Sequence, residues 1–207
     1  PLHSDWVCSL RYEESLAALV SGSMDSTLRV TQLDWPPTAV PSSKAAHDAS
    51  DALLRADPAH CRNISVIRAH SKGVVCFELM QITSRKLCAT CSHERDAYVW
   101  NLETGDLLKT LTGHRALLRQ VAYDAASEVL VTLAVDGEMR TWEMHGYALV
   151  QVIRSPGPLE CIWSAIFNPT QECLVTANRR LQIWQHPRKT ATAEVLSASL
   201  LAPKGHR

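Results

Sequence analysis

The chain has 207 residues, 46% of them apolar and 20% charged, with 21 basic side chains set against 21 acidic ones. A zero formal charge leaves no basic field with which to hold a nucleic-acid backbone or an anionic lipid surface. No stretch approaches the ~18 consecutive apolar residues of a spanning helix, and the seven irregularly spaced cysteines fit free thiols in a reducing compartment better than a disulfide framework. The chain opens on Pro1 at what should be a repeat boundary. No leader is expected, and the chain reads as a fragment of a longer protein.

Short runs rich in branched and aromatic residues, separated by polar turns, predict strands throughout. The first three run over 6–12, 16–21 and 27–33. Asp34-Trp35-Pro36-Pro37 then stops the third, because proline cannot donate to a ladder. Residues 36–63, rich in Pro, Ser, Ala and Asp, predict a solvated insert with a short helix over 46–55, and a strand resumes at 64–67. The next set covers 74–79, 87–91, 97–102 and 106–111. A third covers 118–124, 129–133, 139–144 and 148–153. The fourth covers 162–168, 173–177, 181–185 and 192–196, and a tail, 199–207, follows.

These sets repeat in register. His114 precedes Thr132 by 18 positions, Asp136 by 22 and Trp142 by 28; His3 stands at the same distances from Ser21, Asp25 and Thr31. His70 precedes Thr90 by 20, Glu94 by 24 and Trp100 by 30, so this copy carries two extra residues and Glu for Asp. A fourth copy keeps Thr176 and Trp184 but lacks the His and the Asp. Trp100, Trp142 and Trp184 are each 42 apart. A period of ~40–45 residues marks propeller blades, each a sheet that cannot bury its faces alone.

Ser21-Gly22-Ser23-Met24-Asp25-Ser26-Thr27-Leu28-Arg29-Val30, Gly113-His114 and Trp142-Glu143 resemble the landmarks of the WD-repeat family. The resemblance implies an all-β fold: an arc of four four-stranded antiparallel blades, expected to be part of a larger propeller rather than a closed four-bladed ring. The expected blades are 3–69 with the insert 36–63, then 70–112, 113–153 and 154–198. It also implies that His114, Thr132, Asp136 and Trp142 form a buried hydrogen-bonded tetrad. There the indole donates to the hydroxyl, the hydroxyl meets the imidazole and the imidazole donates to the carboxylate. His70, Thr90, Glu94 and Trp100 would form a second tetrad; His3, Ser21 and Asp25 would form a partial one, with Thr31 at the tryptophan position.

His, Thr and Asp together also suit a nucleophilic triad. The pattern, however, recurs along the chain in graded decay, as structural networks do and active sites do not. Cys88, Cys91 and His93 have the look of half a zinc site, but strand positions three apart face opposite ways. Neither a phosphate-cradling glycine loop nor a paired-carboxylate motif is present. The expectation is therefore no enzyme, no metal and no cofactor.

Function then rests on surfaces. By the same resemblance, the exposed positions on the loop face are Asp5, Trp6, Lys72 and Arg115, just after each His, and Met24, His93 and Val135, just before each acid. Arg95 adds cationic capacity. Trp6 reads either as an interface anchor or as a side chain tucked under its own loop. The segments His3-Ser4-Asp5-Trp6-Val7, Lys72-Gly73-Val74-Val75-Cys76-Phe77 and Arg95-Asp96-Ala97-Tyr98-Val99-Trp100-Asn101 resemble parts of WD-repeat proteins of cilia and flagella. The implied role is a protein-interaction scaffold, cytoplasmic or in an axoneme, binding other proteins and no nucleic acid, membrane or small-molecule substrate. The alternatives are an adaptor in a cytosolic assembly such as a ubiquitin ligase and, more remotely, an enzyme with a propeller-borne site.

Overall fold

The computed structural model describes residues 2–33, 61–154, 162–168, 170–171, 173–177, 181–185 and 195–196. It is all-β: four sheets, each of four antiparallel strands laid side by side in chain order. The first blade holds β1 (Val7–Glu13), β2 (Ala18–Ser23), β3 (Thr27–Leu33) and β4 (Cys61–Arg68). The second holds β5 (Val74–Ile82), β6 (Arg85–Ser92), β7 (Ala97–Asn101) and β8 (Leu107–Leu111). The third holds β9 (Leu118–Asp124), β10 (Val129–Ala134), β11 (Met139–Glu143) and β12 (Ala148–Ile153). The fourth holds β13 (Ser164–Asn168), β14 (Cys173–Ala177), β15 (Leu181–Gln185) and β16 (Val195–Leu196).

The inner strands stack in sequence, β1 on β5, β5 on β9 and β9 on β13. Each seam buries its own apolar core. Val20, Leu28 and Val30 meet Phe77, Cys88 and Trp100 in the first seam. Ala89, Cys91 and Val99 meet Leu118, Val121 and Trp142 in the second, and Val131, Leu133 and Met139 meet Ala165, Leu174 and Trp184 in the third. Every seam tryptophan thus faces the blade before its own. Among the described residues no buried cluster joins the first blade to the fourth. The outer faces of the arc carry exposed Val7, Leu10 and Tyr12 at one end and Ile166 and Leu181 at the other.

The same irregularity recurs in three blades. Register between the third and fourth strands slips at Val30/Thr31, Val99/Trp100 and Thr141/Trp142, in each case at the tryptophan position. A bulge there adds twist and turns the large side chain into the seam.

Several boundaries differ from expectation: β1 and β2 lie one and two residues later than 6–12 and 16–21, with a 3-10 turn at Glu14–Leu16 between them. β4 begins at Cys61, because Cys61, Arg62 and Asn63 pair with Leu33, Gln32 and Thr31. The polar residues Arg62 and Asn63 read as loop in the sequence. β5 and β6 extend to a two-residue turn at Thr83-Ser84, with Thr83 at φ 58°. β13 begins at Ser164, although Ile162 is already buried. Residues 34–60, including the expected helix over 46–55, and the tail 199–207 lie outside the described residues.

Close packing of the first seam depends on Gly22. A Cβ there would lie 2.8 Å from Val74 Cγ1 and 3.1 Å from the Phe77 ring, both fully buried. Gly22→Ala is therefore expected to destabilise the chain by about 1–3 kcal/mol through overpacking. It should appear as a lower urea midpoint with unchanged slope. An unmoved midpoint would show that this seam can yield by several tenths of an ångström.

Candidate functional site: loop face and the polar networks behind it

The second blade holds a complete network. The Trp100 indole donates to Thr90 Oγ1 at 2.9 Å, Thr90 Oγ1 lies 2.9 Å from His70 Nε2, and His70 Nδ1 lies 2.9 Å from Glu94 Oε2. Tyr98 stacks on the imidazole at 4.5 Å. Glu94 also accepts from Ser71 N and Oγ and from Lys72 N, which folds the loop entering β5 around one carboxylate. Burial pushes the His70 pKa down against the pull of Glu94. Burial alone would raise the Glu94 carboxyl, but hydrogen bonds from Ser71 and His70 hold it below its usual range.

The third blade is built differently. His114 Nε2 lies 2.7 Å from Thr132 Oγ1, which accepts from the Trp142 indole at 2.9 Å. The expected partner of His114 Nδ1, Asp136, is not there. Asp136 is exposed, and its carboxylate accepts the backbone N–H of Glu138 at 3.0 Å, closing the tight turn at Gly137 (φ 82°). The buried carboxylate is Glu138, held by Arg140 Nε at 2.7 Å and Arg154 Nε at 3.1 Å. His114 Nδ1 stands 3.6 Å from Glu138 Oε1 without a hydrogen bond. Two arginines have drawn the acid away from the imidazole. The Arg140 guanidinium fills the space beside Gly113, where any Cβ would collide with it.

The two blades consequently imply opposite imidazole tautomers. In the second, Nδ1–H donates to Glu94, so Nε2 accepts the Thr90 hydroxyl proton. In the third, the Thr132 hydroxyl donates to the Arg140 carbonyl at 3.4 Å, so His114 Nε2–H donates to Thr132 and Nδ1 is left bare. Burial and the Arg140 charge bring the His114 pKa down to about 4.

The first blade joins His3 Nδ1 to Asp25 Oδ2 at 2.9 Å and His3 Nε2 to Ser21 Oγ at 2.8 Å. Thr27 and Ser4 complete the shell around Asp25. Burial by itself would raise the Asp25 carboxyl; these donors carry it far below its usual range. In the fourth blade only the indole–hydroxyl pair remains, Trp184 Nε1 to Thr176 Oγ1 at 2.8 Å.

In the second and third blades the His, Thr and Trp side chains are all buried, the two hydroxyls completely. They suit holding strands in place, since all their polar groups but His114 Nδ1 find partners in the folded geometry. Cys88 and Cys91 enter different seams, so they face opposite sides of β6. Among the described residues no three His, Cys, Asp or Glu side chains converge on a metal-sized site.

Backbone bonds fix the loop face, within the first and third blades from Met24 N to Trp6 O and from Val135 N to Leu117 O, and between the third and second from Leu118 N to Glu94 O. On it Asp5, Trp6, Met24, Lys72, His93, Arg95 and Arg115 are exposed and Val135 is half-buried. Trp6 is 80% exposed, its backbone N–H held by Asp5 Oδ1 at 2.7 Å. It is not tucked under its own loop. Gly73 admits Met24, whose Cα would sit 2.6 Å from a Cβ at that position.

Reading the sequence missed two members of this end of the arc. Leu117 is exposed, and Trp163 is 61% exposed with the Arg119 guanidinium 3.9 Å above its ring. Trp163 occupies the position that Arg119 holds one repeat earlier. An aromatic at an inner-strand position that is charged in the preceding copy was the available signal.

Comparison with known proteins agrees with the geometry. The family model described as WD domain, G-beta repeat matches residues 1–37. Residues 1–37 thus match a WD repeat. It is similar to Transducin beta-like protein 3 of Mus musculus, 34% identical over 118 residues, which is 56% of this chain and 13% of that protein. It is similar to DDB1- and CUL4-associated factor 10 of Danio rerio, 28% identical over 97 residues, 46% of this chain and 18% of that protein. It is also similar to WD repeat-containing protein 37 of Homo sapiens, 22% identical over 198 residues, 88% of this chain and 40% of that protein. The chain spans less than half the length of each of these relatives. Beyond residues 1–37, the four-sheet order and the indole–hydroxyl pairs of Trp100, Trp142 and Trp184 agree with that similarity.

Proposed function

We propose that this chain is a non-catalytic scaffold that binds other proteins on its loop face, with Trp6 as the anchor. The observation that carries this reading is the exposure of Trp6 on a loop whose backbone is fixed by Asp5 and Met24. A large aromatic held rigidly in water loses little entropy on docking and gains a large buried area. Exposed Asp5, Lys72, Arg95 and Arg115, on loops of the first three blades, add charged groups for such a partner. No cofactor or small-molecule substrate has a place in this reading.

Trp6→Ala is expected to weaken partner binding by about 2 kcal/mol or more while leaving the thermal midpoint within a degree or two. Titration of the partner with both proteins, together with a melting curve, checks it. Equal affinity would remove Trp6 from the interface.

The similarity to a DDB1- and CUL4-associated factor favours an adaptor role in a cytosolic ubiquitin-ligase assembly. The segments around Trp6, Lys72 and Arg95 that resemble ciliary WD-repeat proteins favour a docking component of the axoneme. Affinity purification of the tagged full-length protein separates them: ligase subunits support the first, tubulin and axonemal proteins the second. Imaging of the same tag reads cytoplasmic against ciliary placement.

A further inference from the structure

Five cysteines have described side chains, and all are free thiols. Two stand directly opposite each other: Cys76 on β5 is the cross-strand partner of Cys91 on β6. Both face the second seam, Cys91 inside its core and Cys76 packed against it. Each thiol shifts the titration of the other. Directly opposed residues of an antiparallel pair have Cα atoms ~4.5–5.5 Å apart, within the ~4.4–6.8 Å that a disulfide spans. Cys88, the other cysteine of β6, points into the first seam and cannot compete.

The pair is asymmetric in a way that suits stepwise oxidation. Cys91 is fully buried, while Cys76 is half-buried. The neighbouring Cys91 holds the Cys76 thiol below its ordinary pKa, while the neighbouring Cys76, with burial, pushes that of Cys91 well above the ordinary value. The register slip between Val74 and Cys76 places a bulge, with its stronger local twist, directly beside the pair. In the reduced chain the Cys76 thiol has two carbonyls within reach, Phe77 O at 3.8 Å on its own strand and Val121 O at 3.9 Å across the seam.

We propose that Cys76 and Cys91 form a peroxide-sensitive thiol pair that closes into a cross-strand disulfide. The Cys76 thiolate attacks one oxygen of a hydroperoxide. An S–O bond forms, the O–O bond breaks and the alcohol or water leaves, giving a sulfenic acid. The Cys91 sulfur then attacks the Cys76 sulfur. The S–S bond forms, the S–O bond breaks, and the departing hydroxide takes the Cys91 proton as water. Two thiols and one hydroperoxide thus yield one disulfide, one alcohol or water, and one water. The disulfide staples the inner hairpin of the second blade and removes the Cys76 thiol proton from within reach of Val121. Oxidation is thereby read out at the seam between the second and third blades.

The test uses the chain carrying Cys8→Ser, since Cys8 is exposed and reacts on its own. Hydrogen peroxide is added, free thiols are alkylated in denaturant, and tryptic peptides are mapped. The expected product is a reducible link between peptide 73–85 and peptide 87–95, two hydrogens lighter than the reduced pair, with fragmentation assigning the second sulfur to Cys91. Cys88→Ser should leave the link intact, and Cys91→Ser should abolish it and leave Cys76 as sulfenic or sulfinic acid. Should Cys91→Ser fail to fold, Cys76→Ser, at the half-buried position, must abolish the link as well. Full alkylation of Cys76 and Cys91 after peroxide, or a link from Cys76 to any other cysteine, overturns the proposal.

Discussion

His70→Ala is expected to destabilise the chain by about 3–5 kcal/mol, and His114→Ala by only about 1–3 kcal/mol. His70 has partners on every side: Thr90 at Nε2, Glu94 at Nδ1 and Tyr98 stacked on its face. Its removal takes a donor from a largely buried carboxylate, an acceptor from the fully buried Thr90 hydroxyl, and the ring that Tyr98 covers. His114 makes one hydrogen bond, to Thr132, and its Nδ1 is already without one. Losing it leaves Thr132 bonded to Trp142 and leaves Glu138 bonded to both arginines. Urea titration of the two variants decides the order, provided each unfolds in one transition. An equal or larger loss for His114→Ala would mean that the 3.6 Å approach to Glu138 acts as a true ion pair. His3→Ala should also exceed His114→Ala in the number of bonds lost, but the first blade has an uncovered outer face, which softens the penalty for exposing Asp25.

The difference between these blades marks where spacing stops being informative. The distances from His114 to Thr132 and Trp142 located residues that the fold does bring together, because a hairpin register converts separation along the chain into neighbourhood. The same count pointed to Asp136 at 22 positions, by analogy with Asp25, which does meet His3. Register says which residue is opposite; it does not say which way a carboxylate on a turn will rotate. That was decided by Arg140 and Arg154, one on β11 and the other just past β12, and by the free N–H of Glu138. Likewise the alternation of strand residues separated Cys88 from Cys91, but the cross-strand partner of Cys91 required the slip after Val74, which no turn residue announces. Trp163 escaped because the fourth repeat has neither the His nor the acid by which the others are aligned.

The buried imidazoles should also write themselves into the pH dependence of stability. His114 titrates near 6.5 when unfolded and at about 4 in the fold, because burial and Arg140 outweigh the attraction of Glu138 and Asp136. Between these values the unfolded chain binds a proton that the folded chain refuses. Stability is therefore complete above pH ~6.5 and falls as the pH drops toward 4, by up to about 1.4 kcal/mol per unit and about 2–3 kcal/mol across the window for this one side chain. His70 shifts in the same direction and adds to the slope. The carboxylates act later. Asp25, Glu94 and Glu138 are all held below their unfolded values, so what they contribute is present above pH ~4.3 and is lost only as the pH falls further. The expected profile has two limbs, an imidazole limb from pH 6.5 and a carboxylate limb below 4.3. His114→Gln, which keeps a donor for Thr132 but cannot titrate, should flatten the first limb and leave the second in place. Urea midpoints taken from pH 8 to pH 3.5 on both proteins measure it. A wild-type midpoint that stays level from pH 7 to pH 5 would mean that Glu138 turns toward His114 on acidification and welcomes the proton, with Arg140 displaced into solvent.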